Sequence, residues 1–102
     1  MIKYLAKEDF NSEISNGITL VDFYATWCGP CKMLEPVLEQ ISNERSPYKI
    51  LKVDIDEHED LTRSFGIMSV PTMIIFKDGK QIKSITGFLP KDEILKELQK
   101  AE

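Results

Sequence analysis

A chain of 102 residues with 42% hydrophobic side chains has the material for one domain around one core, and needs neither a disulfide framework nor a structural metal. Thirteen basic against seventeen acidic residues leave a net charge of −4, which argues against a nucleic-acid binder and its basic face. No stretch approaches the roughly 20 apolar residues of a membrane span, and Lys3 and Lys7 interrupt any secretory-type run; the expected setting is the cytosol.

Ile2 to Leu5 is a short first strand. Lys7 to Ser15 reads as a helix, with Glu8 and Asp9 in its first turn and Asn16-Gly17 as its stop. Ile18 to Ala25 is a near-continuous apolar run, the pattern of a strand buried on both faces. From Cys31, the residues Leu34, Leu38 and Ile41 recur at helical spacing. Pro36 inside that pattern should kink the helix, because it removes a backbone donor and crowds the preceding turn. Tyr48 to Ile55 is a further strand. Asp56 and Glu59 resemble a capping box opening a short helix to Phe65, stopped by Gly66. Thr72 to Phe76 and Gln81 to Thr86 flank Asp78-Gly79, a strong hairpin signal. Pro90 near a first helical position starts a last helix, with Ile94, Leu95 and Leu98 inward. The order β-α-β-α-β-α-β-β-α predicts an α/β fold. Its sheet is mixed and five-stranded, three parallel strands plus an antiparallel hairpin, flanked by four helices on both faces.

The informative segment runs from Val21 to Lys32 and puts a C-x-x-C, Cys28 and Cys31, where a buried strand gives way to a helix N-terminus. Unpaired N–H groups and partial positive charge at that helix end favour a thiolate, so Cys28 should have a lowered pKa and act as an accessible nucleophile. Cys31, one turn on and within the apolar stripe, should be shielded. One accessible attacker with a resolving thiol nearby suits thiol–disulfide exchange. A structural disulfide is the weaker explanation, since so short a loop yields only about 2 kcal/mol in the chain-entropy model. A zinc site would need about four protein ligands, and the single histidine, His58, is some thirty residues away. Two inert buried thiols remain a further alternative.

Trp27-Cys28-Gly29-Pro30-Cys31 closely resembles the W-C-G-P-C active site of the thioredoxin family. The resemblance covers essentially the whole chain: Asp22 in V-D-F, Pro36 in the second helix, Lys52 before V-D-I-D, Val70-Pro71-Thr72, Phe76-Lys77-Asp78-Gly79 and Gly87. Tyr24 departs from it, since many members carry a second Trp there, and should alter fluorescence more than chemistry. The resemblance implies a general protein dithiol–disulfide oxidoreductase of thioredoxin fold, in which Cys28 attacks a client disulfide and Cys31 resolves the mixed disulfide. It implies no bound cofactor and a monomer working on disulfide-containing client proteins. Electrons would come from a thioredoxin reductase, a flavoprotein (FAD) drawing on NADPH. A redox-silent scaffold or chaperone is the alternative; binding alone would not require two thiols.

Asp22, inside Leu20 to Tyr24, should have its pKa raised by burial. Its plain reading is a polar residue near a strand end satisfied by water. The resemblance implies instead that it accepts the proton as Cys31 attacks, with Lys52 nearby. Lys52 itself reads either as an edge lysine with its head in solvent or as a partner of Asp22. The resemblance further implies a cis bond before Pro71, in a loop that pairs with extended substrate. Trp27, Gly29, Pro30, Val70, Pro71 and Gly87, with Phe88, would then form a flat apolar docking patch around Cys28. The acidic stretch from Asp54 to Asp60 lacks the glycine of a calcium loop and reads as a solvated helix start. His58 beside it reads as a surface or boundary residue.

Overall fold

The computed structural model describes residues 2–44 and 47–102. The elements are β1 (Ile2–Tyr4), α1 (Phe10–Ile14), β2 (Ile18–Tyr24), α2 (Gly29–Glu44), β3 (Tyr48–Asp54), α3 (Glu59–Ser64), β4 (Thr72–Lys77), β5 (Lys80–Thr86) and α4 (Lys91–Ala101). They form one five-stranded sheet in the order β1-β3-β2-β4-β5. β1, β3 and β2 run parallel, β4 is antiparallel to β2, and β5 is antiparallel to β4.

The near-continuous apolar character of β2 and β4 follows from their central places, because helices cover both faces there. On one face Leu20, Ile50 and Ile75 pack against Leu34 and Leu38 of α2 and Ile94 and Leu98 of α4. On the other, Val21, Phe23, Leu51 and Val53 meet Phe10 and Ile14 of α1 and a partly buried Phe65. Each fully buried aliphatic or aromatic side chain contributes roughly 2 kcal/mol relative to its exposed state. Asp78 and Gly79 both adopt positive φ, +50° and +86°, the backbone of a two-residue hairpin turn that twists with its strands.

Two helix starts, those of α1 and α3, differ from the expectation where a local side-chain bond competes with the helix. The helix expected over Lys7 to Ser15 is confined to Phe10–Ile14, since the Glu8 carboxylate accepts the Ala6 N–H at 2.7 Å and holds the preceding residues in a turn. The capping box on Asp56 and Glu59 does not form: α3 starts after His58 with no side-chain cap. Asp56 instead donates its N–H to Asp54 Oδ1 at 2.8 Å. Pro90 stands one residue before the helix, in extended backbone. α2 continues unbroken through Pro36. His58 is half-buried, with Nε2 2.9 Å from the Leu5 carbonyl, and fastens the start of α3 to the end of β1.

Candidate active site

β2 ends at Tyr24, and the chain reaches α2 through Ala25, Thr26, Trp27 and Cys28. The first turn of a helix has N–H groups without intrahelical partners, and here they close onto Cys28. Its carbonyl accepts the Lys32 N–H at 3.2 Å, and its sulfur accepts the Cys31 N–H, also at 3.2 Å. Pro30, the second residue of α2, has no N–H to offer. Cys28 and Cys31 are joined in a disulfide. Once that bond is reduced, the Cys31 N–H and the positive helix end favour negative charge on Cys28 over Cys31.

The expected openness of Cys28 needs correction. In the disulfide form Cys28 is 5% exposed and Cys31 2%, with Tyr24, Ile55 and Val70 packed against their cluster. What distinguishes the two sulfurs is their contacts. The Cys28 sulfur faces the Val70 carbonyl at 3.7 Å and receives the helix N–H.

The Val70–Pro71 bond is cis, as the resemblance implied. The loop is tied at both ends: the Thr72 hydroxyl donates to the Ser69 carbonyl at 2.7 Å, and the Gly87 N–H donates to the Pro71 carbonyl at 2.8 Å. Gly87 has φ +93°, a conformation that L side chains rarely adopt. Trp27, Gly29 and Pro30 are exposed and Val70 and Gly87 half-buried, but Pro71 is buried. It shapes the loop rather than presenting its ring to a client. Trp27 is 67% exposed and its Nε1–H donates to Asp56 Oδ2 at 3.0 Å, so Asp56, released from capping, orients the indole. Beside the disulfide lies an open groove of about 320 Å³ lined by Trp27, Ile55, Ile67, Met68, Ser69 and Val70. Ile55, Ile67 and Met68 were not among the residues expected at the site. Their one signal in the sequence is a pair of apolar residues, Ile67 and Met68, held in a loop after Gly66.

Asp22 and Lys52 stand directly opposite each other in the β2–β3 register. Asp22 is wholly buried, Lys52 is 3% exposed, and the ammonium lies 3.9 Å from Asp22 Oδ2. Lys52 is therefore turned inward, and the reading with its head in solvent is excluded. Neither Asp22 carboxyl oxygen has a hydrogen-bond partner among the described residues. Burial pushes the Asp22 pKa up from 3.8 to about 6; Lys52 pulls it down, and Glu35 of α2 adds to the rise. A carboxyl group poised near neutrality can exchange a proton with a thiol-bearing partner at working pH.

A disulfide on a helix N-terminus beside a cis-proline loop can be set against known proteins. The thioredoxin family model matches residues 1–100. The chain belongs to the thioredoxin family. It is 48% identical over 95 residues to a thioredoxin of Listeria monocytogenes, covering 92% of each chain. Identity to a thioredoxin of Chlamydia caviae is 47% over 96 residues, 94% of each chain. Among solved structures, a mutant thioredoxin from Halobacterium salinarum matches with a TM-score of 0.89 at 34% identity, covering 97% of this chain and 88% of that one. The protein is a dithiol–disulfide oxidoreductase acting through Cys28 and Cys31.

Proposed function

We propose that the protein reduces client disulfides in two steps with separate roles for the two cysteines. The Cys28 thiolate attacks one sulfur of the client disulfide, forming a mixed disulfide and releasing the other client sulfur, which takes up a proton. Cys31 then loses its proton, attacks Cys28, and releases the second client thiol. The client gains two electrons and two protons, and the chain is left as the Cys28–Cys31 disulfide. The observation that carries this reading is the Cys31 N–H on the Cys28 sulfur at 3.2 Å, which favours the thiolate at Cys28.

Asp22 takes the Cys31 proton, directly or through water, and Lys52 adjusts its affinity for that proton. Support comes from the raised Asp22 pKa and the 3.9 Å approach of Lys52. Trp27, Gly29, Pro30 and Val70 form the surface on which a client docks, with Pro71 and Gly87 holding the Val70 loop in place; the adjacent groove extends that surface toward Met68. A thioredoxin reductase with FAD and NADPH returns the electrons. The chain works as one domain and as a monomer in the cytoplasm; no helix among the described residues is long and apolar enough to cross a membrane.

The test is insulin reduction with dithiothreitol as electron source. Wild type accelerates insulin precipitation, and Cys28→Ser abolishes the acceleration. Full activity in Cys28→Ser would remove Cys28 as the attacking thiol, and no acceleration by wild type would leave only a scaffold or chaperone role.

A further inference from the structure

Lys52 meets two groups that lie outside the thiol chemistry described so far. Its Nζ stands 4.4 Å from the centroid of the Tyr24 ring and 5.4 Å from that of Tyr4. The two rings meet edge to face, 6.2 Å apart at 82°. The register explains the gathering. Tyr4 of β1 is the direct partner of Lys52 in β3, and Asp22 of β2 is its partner on the other side. Tyr24, two residues beyond Asp22, projects to the same face of the sheet. Tyr24 also packs against the cluster of Ala25, Cys28 and Cys31, so it links the cluster that holds the cysteines to the lysine.

We propose that Tyr4 and Tyr24 form an aromatic clamp holding the Lys52 ammonium beside Asp22, which makes Tyr4 a positioning residue for proton transfer during resolution. The proposal rests on Asp22 being the proton acceptor. At 3.9 Å the Asp22–Lys52 attraction lacks the directionality of a hydrogen bond, so it does not by itself fix where the ammonium stands. The negative faces of aromatic rings attract a cation without a proton to share, and two such faces limit where the ammonium can go. Tyrosine is a weaker cation acceptor than tryptophan, so Tyr24 benefits from a second ring. Tyr4 supplies it from the edge strand, itself 55% exposed. The departure at Tyr24 therefore bears on the electrostatics of the site as well as on fluorescence.

The other charged groups around the clamp are Glu35 and Glu39 of α2, near Asp22 and Tyr4, and Asp54 and Glu57, near Tyr24. Both phenols have raised pKa values, chiefly from burial, that of Tyr24 reaching about 12. They are neutral wherever Asp22 titrates.

The experiment follows the Asp22 carboxyl carbon by 13C NMR across the acid-to-neutral range in oxidised protein. The variants are Tyr4→Ala, Tyr4→Phe, Lys52→Met and the Tyr4→Ala/Lys52→Met double. Loosening the cation should raise the Asp22 midpoint by about half a pH unit in Tyr4→Ala, while Tyr4→Phe keeps the ring and the wild-type midpoint. Lys52→Met should raise it further, and adding Tyr4→Ala to Lys52→Met should change nothing more. In reduced protein, the pH profile of mixed-disulfide resolution should move with these midpoints. A midpoint that stays or falls in Tyr4→Ala, while Lys52→Met still raises it, overturns the clamp and makes Tyr4 a bystander or a cover against water. Midpoints that move as expected while the resolution profile ignores them overturn the proton-acceptor role of Asp22 instead.

Discussion

Replacing Asp22 with Asn should stabilise the protein by an amount that grows with pH. Burial lifts the Asp22 carboxyl from 3.8 to about 6 in the folded chain. At about 1.4 kcal/mol per pH unit between those values, the cost of carrying the ionised form is roughly 3 kcal/mol. Between about pH 4 and pH 6 the folded chain retains a proton that the unfolded chain has released. Wild-type stability therefore declines through that window, relative to a chain without the group, and levels off above about pH 7. The amide of Asp22→Asn does not titrate. At about pH 4 both proteins carry a neutral group at position 22 beside a Lys52 without its counter-charge, so their difference there is small. By about pH 8 the variant should lead by roughly 3 kcal/mol, worth about 4–8 °C of melting temperature per kcal/mol. Urea unfolding of the oxidised proteins at several pH values reads this directly, with the single tryptophan, Trp27, as probe. Every other carboxylate is common to both chains and cancels. A variant advantage that is flat between about pH 4 and pH 8 would refute the burial argument. One that shrinks as pH rises would show the attraction to Lys52 outweighing burial.

In the reduced, folded protein iodoacetamide should modify Cys28 far faster than Cys31, with a pH midpoint below the usual thiol range of about 8.5; peptide mapping that finds equal rates would remove the attacker and resolver assignment. Cys31→Ser should retain attack and lose resolution, so covalent client adducts through Cys28 accumulate on non-reducing gels, and a bait that traps none in a lysate counts against broad exchange chemistry. Gly87→Ala should cost about 1–3 kcal/mol from backbone strain alone, because φ is +93° while no atom beyond its chain neighbours lies within 4 Å of the added methyl. It should also slow insulin reduction more than reduction of the small reagent DTNB, through the Pro71 carbonyl that the Gly87 N–H holds; unchanged urea stability would show that the turn relaxes freely.

The order of elements, the hairpin and the redox pair were legible in the sequence because they rest on local signals. The apolar run of β2, the positive-φ pair Asp78-Gly79 and the two cysteines at a strand–helix junction each act over a few residues. Asp22 and Lys52 are thirty residues apart in the chain, and only the parallel register sets them face to face; composition left Lys52 with two readings. Tyr4 carried no signal at all, since its partner across β1 and β3 is fixed by tertiary pairing. Asp56 was misread for a related reason. A capping pattern is short, and the indole of Trp27 competed for the same carboxylate from twenty-nine residues away. The groove residues Ile67 and Met68 lie in a loop without periodicity, so the sequence offered apolar character there but no face.

Pro30 withholds a proton donor from the helix end that meets the Cys28 sulfur, leaving the Cys31 N–H as the amide bond described there. A dithiol whose thiolate is better stabilised holds its electrons more tightly, so it is a weaker reductant and its disulfide a stronger oxidant. A hydrogen bond to a charged acceptor contributes about 1.5–3 kcal/mol, which for a two-electron couple corresponds to roughly 30–65 mV. A residue with an N–H at position 30 would raise the potential by up to that amount, as equilibration with glutathione would register. Proline at this position therefore biases the couple toward giving electrons away, and a missing hydrogen atom helps set the direction in which the protein works.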